Sequence, residues 1–179
     1  MEHVVIPLDL MHARAAGDLA AGLVGPSGHR TAATPSWHIT VASFEPVSPS
    51  VSRQVVAAVA ARTDPFVVHA HGYGLFVGAH GSSLIMYVPV VRGPRLEALR
   101  VDLHRSLEDA GVRVAHWLDA DHWTPHITLI DRDMAEIDVA RLAAFVRQRQ
   151  HPSWHVPVGE LAVSTAHGEY SDPITLGVR

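Results

Sequence analysis

The chain contains no cysteine and no lysine; all 14 of its basic residues are arginine. Without a thiol there is no cysteine nucleophile, no disulfide and no thiolate zinc site. Without an amine side chain there is no Walker A lysine, no Schiff base and no lysyl-nucleotide intermediate. Charge is also sparse. Charged residues make up 18% of the 179, and the net charge is −4 with histidine neutral. That balance argues against a basic face gripping long duplex nucleic acid, while leaving room for a small anionic ligand in a local pocket. The opening MEHVVIPLDL has neither a basic leader nor a long apolar run, so no signal peptide or membrane span is expected, and a cytoplasmic location is. With 47% hydrophobic residues the chain can fold rather than stay disordered, around one core or two small lobes sharing it.

Periodicity and breakers then divide the chain. Val4–Leu8 reads as a strand and Met11–Val24 as a helix. Gly25–Pro35 reads as a loop, followed by a strand over Trp37–Phe44. Ser48 and Pro49 supply an N-cap and first helical position, with Val51, Val55, Ala58 and Val59 as the inward face. Phe66–His71 and Ser82–Val90 are strands, with the glycines at 72, 74, 78 and 81 marking an irregular connection between them. Pro94 opens a helix striped by Leu96, Leu99, Leu103 and Leu107, with Gly111 at its C-terminal end. A strand over residues 123–130 follows. Asp138 then caps a helix reaching about Gln150, with Val139, Leu142, Phe145 and Val146 inward. Val156–Thr165 and Ile174–Val178 close the chain as a hairpin. The order is β-α-β-α-β-β-α-β-α-β-β.

Two segments carry chemistry: WHITVASF at 37–44 and PHITLIDR at 125–132. Alternate residues of a strand share a face. His38 and Thr40 therefore point one way and Ile39 and Val41 the other; His126 and Thr128 oppose Ile127 and Leu129 in the same manner. Each strand presents an imidazole beside a hydroxyl while burying its apolar side. Hydrolysis of a phosphodiester needs a base to activate water and an acid to protonate the leaving oxygen, and histidine can serve as either near neutrality. Threonine hydroxyls can donate to the non-bridging oxygens. With 14 histidines and 8 threonines, chance alone gives roughly 0.6 His-x-Thr triplets. The discriminating feature is the apolar alternation, which another such triplet, His29-Arg30-Thr31, lacks. The two motif histidines are 88 positions apart, each followed by a helix and then two strands, as in an internal duplication.

These motifs and their spacing resemble the 2H phosphoesterase superfamily, which includes the bacterial RNA 2′,3′-cyclic phosphodiesterases, or 2′-5′ RNA ligases. The resemblance implies an α+β, two-lobed, pseudo-symmetric fold, with antiparallel sheets lining a central cleft and helices outside. It implies one domain over residues 1–179, each lobe supplying one His-x-Thr strand. It makes His38, Thr40, His126 and Thr128 the catalytic quartet, His126 the base and His38 the acid, with no metal and no cofactor. The substrate would be an RNA 3′ end or a small cyclic nucleotide, and the protein a monomer. The sequence departs from the family where many relatives carry an arginine: Asp131 stands there, followed by Arg132.

Other residues admit two readings. Phe44 has the parity of His38, and Trp123 precedes Pro125-His126, so both are expected to stack on a base at the cleft rim; packing in the core is the alternative. Tyr170, in the last turn, could close the cleft. His69 and His71 alternate on one strand, with His80 nearby, which would suit a metal-dependent hydrolase but for the lack of a carboxylate at ligand spacing. Arg92, Arg95, Arg100 and Arg105 could attract phosphates or form a solvated face. A non-catalytic nucleotide or RNA-end binder of the same fold is the remaining alternative.

Overall fold

The computed structural model describes residues 1–24, 37–77, 83–115, 121–133, 138–148, 151–164 and 170–178. The expected loop at Gly25–Pro35, the triplet at His29, the glycines at 78 and 81, and His80 lie outside them. The elements run β1 (Glu2–Pro7), α1 (Leu10–Val24), β2 (His38–Phe44), α2 (Pro49–Arg62), β3 (Phe66–His71), β4 (Gly74–Val77), β5 (Ser83–Pro89), α3 (Pro94–Asp109), β6 (His126–Asp133), α4 (Val139–Gln148), β7 (Ser153–Val158), β8 (Glu160–Ser164) and β9 (Ile174–Thr175).

Two strands exceed the expected order. Four residues of the glycine-marked connection form β4, an edge strand paired with β5. The segment read as one strand over Val156–Thr165 is divided at Gly159: β7 pairs with β3, and β8 pairs with β1 and β9. The closing hairpin survives as β8–β9, but β9 is only Ile174–Thr175 and ends in a turn. All strand pairs are antiparallel, in sheets ordered β2-β1-β8-β9, β4-β5-β6 and β3-β7. A bridge from Ala70 to Val90 ties the small sheet to the end of β5.

One apolar core joins these elements. Leu96, Leu99, Leu103 and Leu107 of α3 are buried in it as the stripe implies, with Val4, Ile6, Ile39, Val41, Met86, Val88, Ile127 and Leu129 from the motif strands and their neighbours. Asp138 caps α4, its Oδ1 accepting the Arg141 amide at 3.0 Å, and Gly111 follows α3 in a left-handed conformation with φ 75°. Two helix faces differ from expectation. Ser52, Val56, Val59 and Ala60 are the buried residues of α2, while Ala58 is exposed. Rotating the face onto the small Ser52 and Ala60 lets α2 pack closely against α3 and β8. Val139 is 71% exposed because it opens α4, nearly two turns before Phe145, which reaches the core. Among the described residues no helix is long and apolar enough to cross a membrane.

Candidate active site

His38 and His126 each begin a strand. Both motif strands show the same alternation, with His and Thr half-buried and the intervening isoleucine fully buried. The partner strands match as well. Pro7 stands opposite His38, Ile6 opposite Ile39 and Val5 opposite Thr40; then Val4 stands opposite Ala42, skipping Val41. Pro89 stands opposite His126, Val88 opposite Ile127 and Tyr87 opposite Thr128; then Met86 stands opposite Ile130, skipping Leu129. Each motif strand thus has a β-bulge immediately after its threonine. A bulge inserts one residue and reverses the alternation beyond it. Ser43 and Asp131, five positions past the histidines, therefore come to the histidine faces, and Phe44 turns away.

That reversal corrects the reading of Phe44. It is 0% exposed in the core and offers no ring to a ligand. Trp123 is 2% exposed and also presents no stacking face. Its Nε1 donates to the Thr40 carbonyl at 3.2 Å, so the residue three before His126 grips the first motif strand. The Arg92 and Arg100 guanidinia lie over its ring at 5.6 and 5.5 Å from the centroid. Glu97 holds both arginines, at 3.0 Å from Arg92 and 2.6 Å from Arg100. Burial pushes the Glu97 carboxyl up, but the two guanidinia outweigh it and leave it below its usual range. Arg100, 5% exposed, is thus a structural residue rather than part of a solvated or phosphate-attracting face.

The two imidazoles are held differently. His126 Nδ1 donates to the Thr124 carbonyl at 2.7 Å. A carbonyl can only accept, so the neutral ring carries its proton on Nδ1 and its lone pair on Nε2. Phe76 and Tyr87 pack against it, each with its ring centroid 5.0 Å away. Burial lowers the His126 pKa from its ordinary value; the Thr124 carbonyl opposes this, and the charge of a protonated His38 adds to it. That last influence means the two histidines lie within electrostatic reach of each other. His38 Nδ1 lies 2.7 Å from the Tyr170 hydroxyl, and the two rings meet edge to face. A phenol can donate or accept, so it allows His38 the opposite tautomer, with the proton on Nε2.

Residues 25–169 match the sequence model of the 2′-5′ RNA ligase superfamily. The chain belongs to this superfamily of 2H phosphoesterases. No curated protein sequence matches it. Among solved structures it is similar to TT0787 of Thermus thermophilus, at 14% identity and a TM-score of 0.66 over 98% of this chain and 97% of that one. A crystallised phosphoesterase aligns at 19% identity and 0.61 over 98% and 94%. E. coli LigT complexed with 3′-AMP aligns at 19% and 0.57 over 97% and 94%. Identities this low establish a shared fold, the α+β arrangement with antiparallel sheets that the motifs led us to expect.

Several residues of this superfamily member's histidine faces escape a reading of the sequence. Tyr87 faces the same way as Thr128, and Phe76 lies against it at 4.2 Å between centroids. A Cβ on Gly74 would overlap the Tyr87 ring, so glycine is what lets that ring lie across β4. On the other sheet, His3 stands opposite Ser43, with its Nδ1 2.6 Å from the serine hydroxyl. Of these, only the tight spacing of Gly72 and Gly74 gave any signal. His69 stands opposite His155 across β3 and β7, ring centroids 4.2 Å apart. Among the described residues no group of three or more His, Asp or Glu could hold a metal ion.

Proposed function

We propose that the protein hydrolyses 2′,3′-cyclic phosphates of RNA ends or nucleotides by metal-independent acid–base catalysis. The carrying observation is the complementary tethering of the two imidazoles. The Thr124 carbonyl takes the Nδ1 proton of His126 and leaves Nε2 a base; the Tyr170 hydroxyl oxygen can accept from the Nδ1 of protonated His38, whose Nε2 gives up its proton and leaves a neutral ring. His126 would remove a proton from water as its oxygen attacks phosphorus, and His38 would protonate the departing ribose oxygen. Thr40 and Thr128, on the same faces, would donate to the non-bridging oxygens as charge builds. Ligation would be the reverse of this ring opening. The one-domain reading, with one motif strand from each of two lobes, belongs to the same proposal and is supported by the matching bulges of β2 and β6.

The test is turnover of a panel of cyclic phosphates in EDTA. Equal activity with and without chelator is expected. Activity abolished by chelation and restored by zinc or manganese would instead revive a histidine-bound metal, and binding without turnover would make the protein a nucleotide-binding relative.

A further inference from the structure

The small sheet of β3 and β7 has one buried face and one open face. Phe66, Val68 and Ala70 turn to the core, as do Val156 and Val158, while His69 and His155 are exposed on the other side. The two histidines stand directly opposite each other. The His69 carbonyl points away from β7 and accepts the Val91 amide at 2.7 Å, whereas three residues on the Gly72 amide donates to the Pro152 carbonyl at 2.9 Å. His69 and His155 are therefore a non-hydrogen-bonded pair, the kind whose opposed side chains come closest. Their ring centroids are 4.2 Å apart, and among the described residues neither imidazole makes a hydrogen bond.

Two imidazole nitrogens on one ion, each at about 2.0–2.1 Å, put the ring centres roughly 4.5–5 Å apart in a square-planar or tetrahedral site. Exposed rings reach that spacing from 4.2 Å by a small side-chain rotation. His71, two positions along the same face, stands opposite Ser153, and no group of three ligands forms among the described residues. Two protein ligands leave the remaining coordination positions to water. Imidazole nitrogen suits zinc, nickel or copper, whereas calcium and magnesium take oxygen ligands.

We infer that His69 and His155 chelate one late first-row divalent cation, such as zinc, on a sheet that carries neither motif strand. The ion clasps β3 to β7. Two strands alone make a marginal sheet, and this one is joined to the end of β5 through the Ala70–Val90 bridge. An ion that binds only the paired strands stabilises the fold by mass action. It takes no part in phosphoryl chemistry, so the inference does not depend on the cyclic-phosphate reading.

Calorimetric titration with zinc, on protein stripped with EDTA and dialysed, tests the site. One ion per chain should bind there, and the melting temperature should rise with zinc concentration. Losing an outer hydrogen-bond partner of a metal ligand costs about 10–100-fold in affinity, so losing a ligand should cost at least about tenfold. His69→Asn and His155→Asn should each do so and abolish the zinc-dependent rise in melting temperature; His71→Asn should change neither. Both ligands are exposed, so the variants should melt in EDTA as the wild type does, which separates a lost site from a folding defect. The site should persist in a His38→Ala/His126→Ala protein, which removes the other pair of facing imidazoles. Unchanged zinc affinity in the His69 and His155 variants, an ion lost together with His38 and His126, or no binding at all overturns the inference. Turnover in EDTA should be the same for the wild type, His69→Asn and His155→Asn. Turnover that requires zinc and falls in His155→Asn would keep the site and overturn metal-independent hydrolysis instead.

Discussion

Pro7, Val5 and Val4 stand opposite His38, Thr40 and Ala42, as Pro89, Tyr87 and Met86 stand opposite His126, Thr128 and Ile130. The backbone device is repeated down to the bulge. What surrounds it is not. Beside Thr128 is an aromatic ring, and beside Thr40 is a valine. His126 is fixed by a carbonyl two residues away, and His38 by a phenol that returns from 132 residues further along. A duplicated strand can therefore give its two histidines different protonation habits, because protonation is set by the neighbours of Nδ1 and by water access rather than by the strand. An acid and a base need that difference.

The sharpest way to break the comparison is to remove each imidazole. His38→Ala and His126→Ala should each lower turnover at least about a hundredfold, as loss of a positioned acid or base does. Thr40→Ala and Thr128→Ala should cost less, each removing one donor among several, and His29→Ala should be near silent. On a p-nitrophenyl phosphodiester, whose leaving group hardly needs a proton, His38→Ala should recover most of its loss and His126→Ala should not. Recovery of the His126 variant would exchange the two roles.

The histidine–threonine strands were legible because their alternation is local: six residues suffice to show which side is apolar. The stripe of α3 and the cap of α4 were legible for the same reason. The bulges were not, since a skipped residue is visible only against the partner strand, and one unseen bulge was enough to send Phe44 to the wrong face. Trp123 was misplaced for a related reason: its partners, Thr40, Arg92 and Arg100, are distant in sequence. Tyr170 could be suspected of lying near the cleft, but not of holding His38. His3 carried no motif at all; its place follows from the register of three strands.

Gly74→Ala tests the aromatic side alone. The added methyl must displace the Tyr87 ring, and with it the packing around His126. A shift on the order of 1 Å in a reacting group can cost up to about a hundredfold, so a loss of roughly ten- to a hundredfold is expected with the protein still folded by circular dichroism. The loss should persist on the p-nitrophenyl substrate, because it acts through the base. A loss confined to the natural substrate would mean that Tyr87 serves the acid.

Tyr170→Phe is the reciprocal change and a smaller one. It removes the hydroxyl at His38 Nδ1 and keeps the ring that packs edge to face. One hydrogen bond is worth about 0.5–1.5 kcal/mol, so turnover of a cyclic phosphate should fall about two- to tenfold. The p-nitrophenyl substrate should be nearly unaffected, and the alkaline limb of the pH profile, which reports the acid, should move. An equal loss on both substrates would make Tyr170 a packing residue.

The smallest effect concerns the acidic limb. The base works only when neutral, so the rate rises with pH through the His126 pKa, and a pKa lowered by burial completes that rise at more acid pH than an ordinary imidazole would. Phe76 contributes to that burial, with its ring 5.0 Å from the imidazole. Phe76→Ala should admit water, relieve the desolvation and move the acidic limb of kcat/KM upward, while Phe76→Leu, which keeps an apolar cover, should move it less. Measuring both on the p-nitrophenyl diester isolates this limb, because the acid no longer contributes. The direction is what discriminates. An upward shift makes the aromatic wall a reason the second histidine is the base; a limb that stays in place would leave the asymmetry to the groups at the two Nδ1 atoms, the Thr124 carbonyl and the Tyr170 hydroxyl.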